Sequence, residues 1–405
     1  MENRLLKARW VFPASGKPIP NGLVKISGQR IVAVGPGPEQ GDVEDLGNVA
    51  ILPGLVNAHT HLEFSHLAEP LGEPGIGLVD WIRRVIALRQ QSDWNPHESV
   101  RRGLRESVGS GTTTLGEIAQ ADWPIEQFET ADLEATVFLE VIAPRLDRVA
   151  PAMELAQRHF DIAEEAVRWR PGFSPHAPYS IHPELLAVAV AMLTAEKVPF
   201  AFHLAESREE LELLHSGSGP IRDLLEDLDA WDPTAIRPGT RPLDYLRMLE
   251  PVHRTLIVHG NYLDEAEIGF LADHADRMAV VYCPRTHEWF RHRPYQLARM
   301  LKAGVNVALG TDSRASNPDL SMLAEMRFVA RKFPNISGDV VLRLDTVNAA
   351  HALDRLDELG SLEPGKYADL AVVSLPNRDA ADPYDLLFDS DEPVVQSWFR
   401  GLPVQ

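Results

Sequence analysis

Residues 52–64 read LPGLVNAHTHLEF, an apolar run that ends in two histidines, His59 and His61. In an extended strand the side chains at positions i and i+2 point to the same side, so the two imidazoles share one face while Thr60 turns away. The stretch therefore predicts a strand whose carboxyl end brings His59 and His61 to one point. Two imidazoles placed in this way can bind a single metal ion.

The centre of the chain repeats the strand-like pattern at regular intervals. Apolar runs alternate with longer helical stretches, and the eight runs lie at 50–61, 112–118, 135–142, 172–178, 199–206, 255–260, 278–284 and 306–313. This alternation predicts an α/β fold in which a parallel sheet closes into a (β/α)8 TIM barrel. The near-continuous apolar character of the runs is typical of strands that are covered on both faces.

The two ends of the chain resemble each other and differ from the centre. Short β-prone runs separated by glycine and proline occur in residues 1–50 and again in 356–405, as is typical of small β structures. We therefore predict a small β-sandwich domain built from 1–50 and 356–405, and a catalytic barrel domain over 51–355. Residues 215–242 are predicted to be an insertion that forms a loop over the site.

Composition narrows the classes of partner and compartment. The chain has 405 residues, with 44% apolar and 24% charged residues, which is typical of a globular protein with one large domain and one small one. The formal charge of −20 argues against nucleic acid or an anionic membrane as a partner. The single cysteine, Cys283, excludes internal disulfides. With no recognisable signal peptide or membrane span, we expect a cytoplasmic protein.

Polar side chains recur at the carboxyl ends of the predicted strands. His176 follows the fourth strand, His203 and Glu206 end the fifth, and His259 and Asp312 end the sixth and eighth. In a TIM barrel these ends meet at one face, where the active site lies. One such histidine is commonly a hydrogen-bonded structural residue. A whole set at one end would need a separate buried partner for each ring, so we predict an active site instead.

The types of these residues indicate a metal site. Three histidines and one carboxylate suit Zn²⁺, with Fe²⁺ as an alternative, and the predicted ligands are His59, His61, His203 and Asp312. The ion would lower the pKa of a bound water from about 15.7 toward about 7. We predict one ion per chain. Binuclear barrel sites often use a carbamylated lysine, and Lys197, the single lysine between His61 and His203, does not lie at a strand end.

Several motifs together resemble the amidohydrolase superfamily. PGLVNAHTH, SPHAPYS, FHLAES, VHG and ALGTDSRASNPDLSMLAEMR occur in this order, and the similarity extends over nearly the whole chain. The chain is most similar to the metal-dependent aminohydrolases. These include the adenosylhomocysteine/methylthioadenosine, aminodeoxyfutalosine, guanine and cytosine deaminases and the triazine chlorohydrolases. His-x-His alone is weakly specific, whereas its combination with HxxE, a later histidine and GTDS is strongly specific.

The resemblance implies a catalytic role for three residues beside the metal. Glu206 would protonate a ring nitrogen of the substrate and shuttle protons, and His259 would hydrogen-bond the attacking hydroxide. Asp312, besides binding the metal, would take the proton from the attacking water. A carboxylate three residues beyond a ligand is well placed to carry protons. The alternatives are a solvated acid at a helix N-terminus for Glu206 and a structural role for His259.

The resemblance also indicates where substrate binds. The predicted contacts are Trp81, His176, Glu206 and Ser313, and His176 matches a position that contacts substrate in the nucleoside-deaminating members. Those members also carry a glutamate about two helical turns after the tryptophan that matches Trp81, and this glutamate helps to hold the ribose. This chain has Gln90 and Gln91 there and no acid.

Two further groups of side chains are candidate pocket residues. Arg83, Arg84 or Arg89 could meet a carboxylate on the substrate, or they could form a solvated basic face. In CPRTHEWFRH, after the seventh strand, His287, Trp289 and Phe290 could line the pocket and stack on a planar ring, or they could pack within the loop.

Together these observations predict a mononuclear, metal-dependent hydrolytic deaminase of an amino-substituted nitrogen heterocycle. The leading substrate is aminodeoxyfutalosine or another adenine-containing nucleoside. The alternative is hydrolysis of another C–N or C–Cl bond on a purine, pyrimidine or triazine ring. Asp312 favours amine displacement, because at least one kind of chlorohydrolase lacks this aspartate. A non-catalytic binding protein is a third possibility. We expect a small-molecule substrate and a homodimer.

Overall fold

The computed structural model describes residues 3–37, 42–92 and 94–404. Its largest sheet has eight parallel strands that neighbour one another in chain order, and they are Leu55–Thr60, Thr112–Ala119, Glu134–Val141, Trp169–Pro175, Phe200–Leu204, Thr255–His259, Met278–Tyr282 and Asn306–Leu309. We call them barrel strands 1 to 8. A bridge between Thr60 and Asp312 connects the last strand to the first. The predicted TIM barrel is confirmed.

The predicted first strand, 50–61, proves to be two strands in two different sheets. Val49–Pro53 pairs antiparallel with Leu370–Ser374, whereas Leu55–Thr60 is barrel strand 1. The chain changes sheets at Gly54, where a Cβ would lie 2.1 Å from the Thr113 hydroxyl oxygen, so only glycine fits this close approach. Both halves are buried, and a continuous apolar run therefore gave no sign of the break.

Strands from both chain ends form two smaller sheets. The four-stranded sheet has the order Arg30–Gly35, Leu23–Ser27, Asn3–Lys7 and Glu44–Asp45. The six-stranded sheet has the order Leu402–Pro403, Val394–Phe399, Leu370–Ser374, Val49–Pro53, Trp10–Val11 and Ile19–Pro20. Leu6 and Ile26 of the first sheet share one apolar cluster with Ile51, Leu370 and Trp398 of the second. This shared core is typical of a small β-sandwich. The boundaries 1–50, 51–355 and 356–405 stay predictions, and residues 1–2, 38–41, 93 and 405 lie outside the described ranges.

Helices cover the outside of the barrel. The described α-helices are Leu78–Arg89, Pro96–Gly109, Ile125–Thr130, Val149–Ala163, Pro183–Glu196, Arg208–Ser216, Pro220–Asp227, Pro242–Leu249, Glu265–Asp273, Pro284–Trp289, Leu297–Ala303, Met322–Lys332, Gly338–Asp345, Val347–Ala352 and Asp385–Phe388, with 3-10 turns at Leu62–Phe64, Leu146–Arg148 and Pro178–Ser180. Within the described part of the chain, none of these helices is both long and apolar enough to cross a lipid bilayer.

The predicted insertion at 215–242 contains a helix rather than a simple loop. Pro220–Asp227 is helical and buries Leu224 and Leu225. Asp227 at its end forms an ion pair with Arg83 of the Leu78–Arg89 helix, at 2.6 Å. The insertion and the helix after barrel strand 1 therefore lie side by side above the barrel.

A buried ionic network connects the segments that follow barrel strands 7 and 8. The fully buried carboxylate of Glu325 accepts hydrogen bonds from the Arg285 guanidinium at 2.7 Å and from the Asn317 amide at 2.6 Å. The same guanidinium pairs with Asp319 at 2.7 Å. Because the loop between Asp312 and Ser321 is held in this way, the network orients the polar end of barrel strand 8.

Truncation of Glu325 should destabilise the fold strongly. In Glu325→Ala the Arg285 charge stays buried with half of its partners removed, and breaking such a pair costs about 3–5 kcal/mol of unfolding free energy. Urea denaturation measures the loss. Glu165→Ala, on an exposed position of the barrel surface, is the control and should change the unfolding free energy by no more than about 0.5 kcal/mol. Equal stability of the two variants would contradict a structural role for the network.

Candidate metal and substrate site

Three histidines from barrel strands 1 and 5 meet at the carboxyl end of the barrel. His59, His61 and His203 are buried, and one ring nitrogen of each lies within 4.8 Å of those of the others. Asp312 approaches from barrel strand 8, with Oδ1 3.9 Å from His59 Nε2 and 3.8 Å from His61 Nε2. The structure thus brings all four predicted ligands together.

The donor set fits a divalent metal ion. Among the described residues, His59 Nε2, the nitrogen that lies 3.9 Å from Asp312 Oδ1, is buried without a hydrogen-bond partner, which is costly unless another group binds there. Burial lowers the pKa of His203 to about 3 and that of His59 and His61 well below the ordinary value. The rings are therefore neutral at physiological pH, and the neutral imidazole is the form that binds metal.

Strained backbone positions direct the side chains at the ends of barrel strands 6 and 8. His259 and Asp312 have φ angles of 68° and 58°, which non-glycine residues adopt rarely and mostly where the surroundings hold them. The Asp312 N–H donates to the His59 carbonyl at 3.0 Å, and Thr60 Oγ1 donates to the Asp312 carbonyl at 2.9 Å. Barrel strands 1 and 8 therefore fix each other's polar ends.

Two further buried carboxylates, Glu206 and Glu210, and the buried His259 lie beside the histidine cluster. Glu206 Oε1 lies 3.5 Å from His259 Nε2. Burial, with the charge of Asp312 as a second cause, raises the pKa of Glu206 well above its ordinary value. Burial likewise raises the pKa of Asp312 to about 7. Glu210, also buried, accepts hydrogen bonds from the backbone N–H groups of Ala205 and Glu206 and holds the turn that carries Glu206.

A cavity of about 230 Å³ opens above these residues. Glu206, His259 and Asp312 lie at its inner end, and most of its wall is apolar. The Leu78–Arg89 helix and the insertion at 215–242 provide much of this wall, through Ile82, Val85, Ile86, Leu224, Leu225 and Leu228. Such a cavity, apolar with a few polar groups at one end, is typical of a small-molecule site.

The predicted substrate contacts line this cavity. Trp81, His176 and Ser313 are all wall residues, and the Trp81 indole N–H donates to the Ala315 carbonyl at 2.9 Å. Of the three candidate arginines, Arg89 lines the cavity, where its guanidinium is paired with the buried Glu63. Arg83 and Arg84 are exposed outside it.

The segment after barrel strand 7, predicted as a loop, begins with the Pro284–Trp289 helix and does not bring its candidate residues to the cavity. His287, Trp289 and Phe290 are absent from its wall. Phe290 instead packs edge-on against Trp81, with ring centroids 5.6 Å apart and an interplanar angle of 79°. Of the two interpretations of this segment, packing is the one that the structure supports, because Trp81 lies between Phe290 and the cavity and Phe290 buttresses its ring.

Sequence reasoning missed three acidic residues near the site. Glu140, near the end of barrel strand 3, lines the cavity and accepts a hydrogen bond from Gln120 Nε2 at 2.6 Å. Glu63 pairs with Arg89, and Glu210 holds the turn before Glu206. A sequence pattern existed for the first two, since each is a single carboxylate within an apolar run, FLEV and HLEF.

Comparisons with known proteins agree with this geometry. A sequence model of the Amidohydrolase family matches residues 50–402. The 5-methylthioadenosine/S-adenosylhomocysteine deaminase of Moorella thermoacetica is 30% identical to this chain, and the match covers 94% of this chain and 88% of that protein. An adenosine deaminase from Xanthomonas campestris with bound zinc is 26% identical, with a TM-score of 0.82 over 98% of this chain and 92% of that one.

A third similarity supports the fold alone. Helicobacter pylori aminofutalosine deaminase, solved in complex with methylthio-coformycin, has a TM-score of 0.87 at 22% identity, covering 99% of this chain and 100% of that one. The fold of nearly the whole chain is thus shared with this solved structure. With its family match spanning most of its length, the chain belongs to the Amidohydrolase family.

Proposed function

We propose that the chain is a metal-dependent hydrolytic deaminase that converts the amino group of an adenine-containing nucleoside into a carbonyl and releases ammonia. One observation carries the proposal: the His59, His61 and His203 cluster meets Asp312, Glu206 and His259 at the inner end of one apolar cavity. The names of the relatives support the reaction, since two of them are deaminases of adenine nucleosides.

The proposed metal is one Zn²⁺ per chain, with Fe²⁺ as the alternative. His59, His61, His203 and Asp312 would hold it, and the His59 Nε2 atom, unpartnered in the described part of the chain, supports this assignment. When bound, the ion would supply Lewis acidity and make water a nucleophile at neutral pH. Lys197 is exposed at the end of the Pro183–Glu196 helix. It is therefore not placed to bridge two ions, which supports a single ion.

The protein's own side chains would move the protons. The raised pKa of Glu206 lets Oε1 or Oε2 carry a proton, which it would give to the ring nitrogen beside the amino-bearing carbon. Asp312 would accept the proton of the attacking water, and His259 Nε2 would orient that water. A proton returned through Glu206 to the amino nitrogen would then let ammonia leave. Water and the C–NH₂ group become C=O and NH₃, so atoms and charge balance.

The cavity wall supports a planar, mostly apolar substrate. Trp81, His176 and Ser313 would contact it, together with Glu206. Aminodeoxyfutalosine stays the leading candidate, but its carboxylate would have to share Arg89 with Glu63. Adenine nucleosides without an acidic group avoid this competition. We further propose that the protein acts in the cytoplasm as a homodimer.

Ammonia release from a panel of compounds tests the reaction class. The purified, metal-loaded protein is expected to release ammonia from at least one of adenosine, 5′-methylthioadenosine and aminodeoxyfutalosine, with kcat/KM of about 10⁴ M⁻¹s⁻¹ or more. Guanine, cytosine and chlorotriazines are the comparison compounds. Chloride release from a triazine without deamination of any nucleoside would favour the alternative, C–Cl hydrolysis. Substrate binding without turnover of any compound would favour a binding protein.

A further inference from the structure

Glu140 provides a polar group in the cavity that the proposed chemistry does not use. Its side chain is 3% exposed, and it extends from barrel strand 3 into the cavity wall. Gln120 Nε2 donates to Oε2. Oε1 is buried and has no hydrogen-bond partner within the described part of the chain. A carboxylate oxygen in this state loses its hydration without compensation, so an unseen donor is expected to occupy the space beside it.

His176 also lines the cavity, and its Nε2 lies 4.0 Å from Glu140 Oε1. This separation is too long for a hydrogen bond. The other ring nitrogen, Nδ1, lies 2.7 Å from Ser180 Oγ. The Ser180 hydroxyl donates its one proton to the Ala177 carbonyl at 3.1 Å, so we assign the ring proton of His176 to Nδ1, which donates to Ser180 Oγ. Nε2 is then an acceptor, and the cavity presents two acceptors, Glu140 Oε1 and His176 Nε2, to the same space.

Two neighbouring hydroxyl groups satisfy both atoms. One donates its proton to Glu140 Oε1 and the other donates to His176 Nε2. The two acceptors are 4.0 Å apart, close enough for adjacent hydroxyls to reach one each. A single hydroxyl has one proton and would leave the other acceptor without a donor. The pair is therefore matched to a vicinal diol.

The position of the pair in the barrel indicates which hydroxyls it meets. Glu140 lies near the end of barrel strand 3, next to the strand that carries His176, whereas Glu206, His259 and Asp312 come from the ends of barrel strands 5, 6 and 8. The Glu140 side of the cavity is thus the side away from the proposed reaction centre. In an adenine nucleoside the reacting amino group and the sugar lie at opposite ends of the purine. The sugar hydroxyls would therefore reach the Glu140 side.

On the basis of the proposed function, we propose that Glu140 and His176 form a subsite for the two neighbouring ribose hydroxyls of the nucleoside. Directly after the Leu78–Arg89 helix this chain has Gln90 and Gln91 and no acid that could hold the sugar. The subsite would provide that contact instead. The carboxylate would come from the barrel wall instead of the covering helix. The subsite predicts that the enzyme prefers ribonucleosides to the corresponding deoxynucleosides and free bases.

The test combines loss of the carboxylate with loss of the hydroxyl. For the wild type, 2′-deoxy- or 3′-deoxyadenosine should have a kcat/KM about 10- to 100-fold below that of adenosine, the effect of one hydrogen bond to a charged group. Glu140→Ala should lose a similar factor with adenosine, and almost nothing more with the deoxy substrate that lacks the contacted hydroxyl. The kcat/KM of Glu140→Gln for adenosine should lie between those of the wild type and Glu140→Ala, because glutamine keeps the side-chain volume but not the charge.

Two controls separate a local effect from a structural one. Glu154→Gln changes an exposed acid on the outer Val149–Ala163 helix and should leave the ribose preference intact. Metal content and melting temperature of the Glu140 variants should match the wild type. Glu140 variants that discriminate against both deoxy substrates as strongly as the wild type does, or a wild type that turns over all three equally, would overturn the subsite.

Product binding distinguishes failure of the subsite from failure of the proposed function. Calorimetry gives Kd values for inosine, 2′-deoxyinosine and 3′-deoxyinosine whether or not the protein deaminates anything. Binding of inosine at least about 10-fold tighter than one deoxy product, lost in Glu140→Ala, would support the subsite even if ammonia release failed. Equal binding of all three products, or no binding of any, would overturn it.

Discussion

Replacement of His203 by asparagine is expected to abolish both metal binding and deamination. The residue contributes one of the three converging imidazoles, and asparagine is shorter and lacks the second nitrogen that meets the cluster. Replacing a residue that only supports a metal ligand already lowers metal affinity about 10- to 100-fold. Replacing a direct ligand should therefore lower kcat/KM by at least about 10³-fold. Metal content by mass spectrometry and ammonia release measure the two effects.

The matched control for this change is His97→Asn. His97 is an exposed histidine that contacts the Asp122 carbonyl on the barrel surface, and its replacement should leave metal content and activity unchanged. The wild type treated with a strong chelator should behave like His203→Asn, and activity should return when Zn²⁺ or Fe²⁺ is added back. A His203→Asn enzyme that keeps its metal and its rate would remove this residue from the site.

Replacement of Glu206 by glutamine should separate catalysis from metal binding. The amide keeps the size of the side chain but cannot carry a proton, so we expect a loss of about 10²-fold or more in kcat. The predicted metal ligands are not changed, and metal content should equal that of the wild type. The raised pKa of Glu206 and its position 3.5 Å from His259 are the reasons to expect an effect on kcat in particular.

Glu212→Gln provides the comparison for this variant. Glu212 is exposed on the Arg208–Ser216 helix, which directly follows Glu206, and it does not line the cavity. It should retain the wild-type kcat and KM. A Glu206→Gln enzyme with full activity would contradict the proposed proton transfer, and a variant that loses its metal would assign the residue a structural role instead.

The strand periodicity alone was sufficient to predict the barrel and the convergence of the polar residues at its mouth. His59 and His61 are two apart on a strand, so they share a face in any register. Eight strands that alternate with helices then place His203, His259 and Asp312 at the same end of the barrel, because all parallel strands of a barrel point the same way. These inferences need no knowledge of which side chains touch, and the resemblance to the amidohydrolases, now confirmed, adds to them.

Local patterns could not reveal where neighbouring segments separate or what covers the mouth. Residues 50–56 are apolar throughout, and the change of sheet at Gly54 depends on the close approach of Thr113. The helix at Pro220–Asp227 and the role of Phe290 behind Trp81 depend likewise on packing between remote segments. Such contacts are set by shape in three dimensions, and no short-range periodicity reports them.

The sequence by itself determined the fold, the family and the chemical types of the residues at the barrel mouth, because strand direction and side-chain alternation are local properties. Only the tertiary structure decided which charged side chains line the cavity, which form ion pairs and which are exposed to solvent. It buried Glu140 with one oxygen that has no partner among the described residues, joined Arg89 to Glu63, and left Arg83 and Arg84 exposed. Whether a charged side chain meets solvent, a partner or a cavity depends on residues far away in the chain, which local sequence cannot specify.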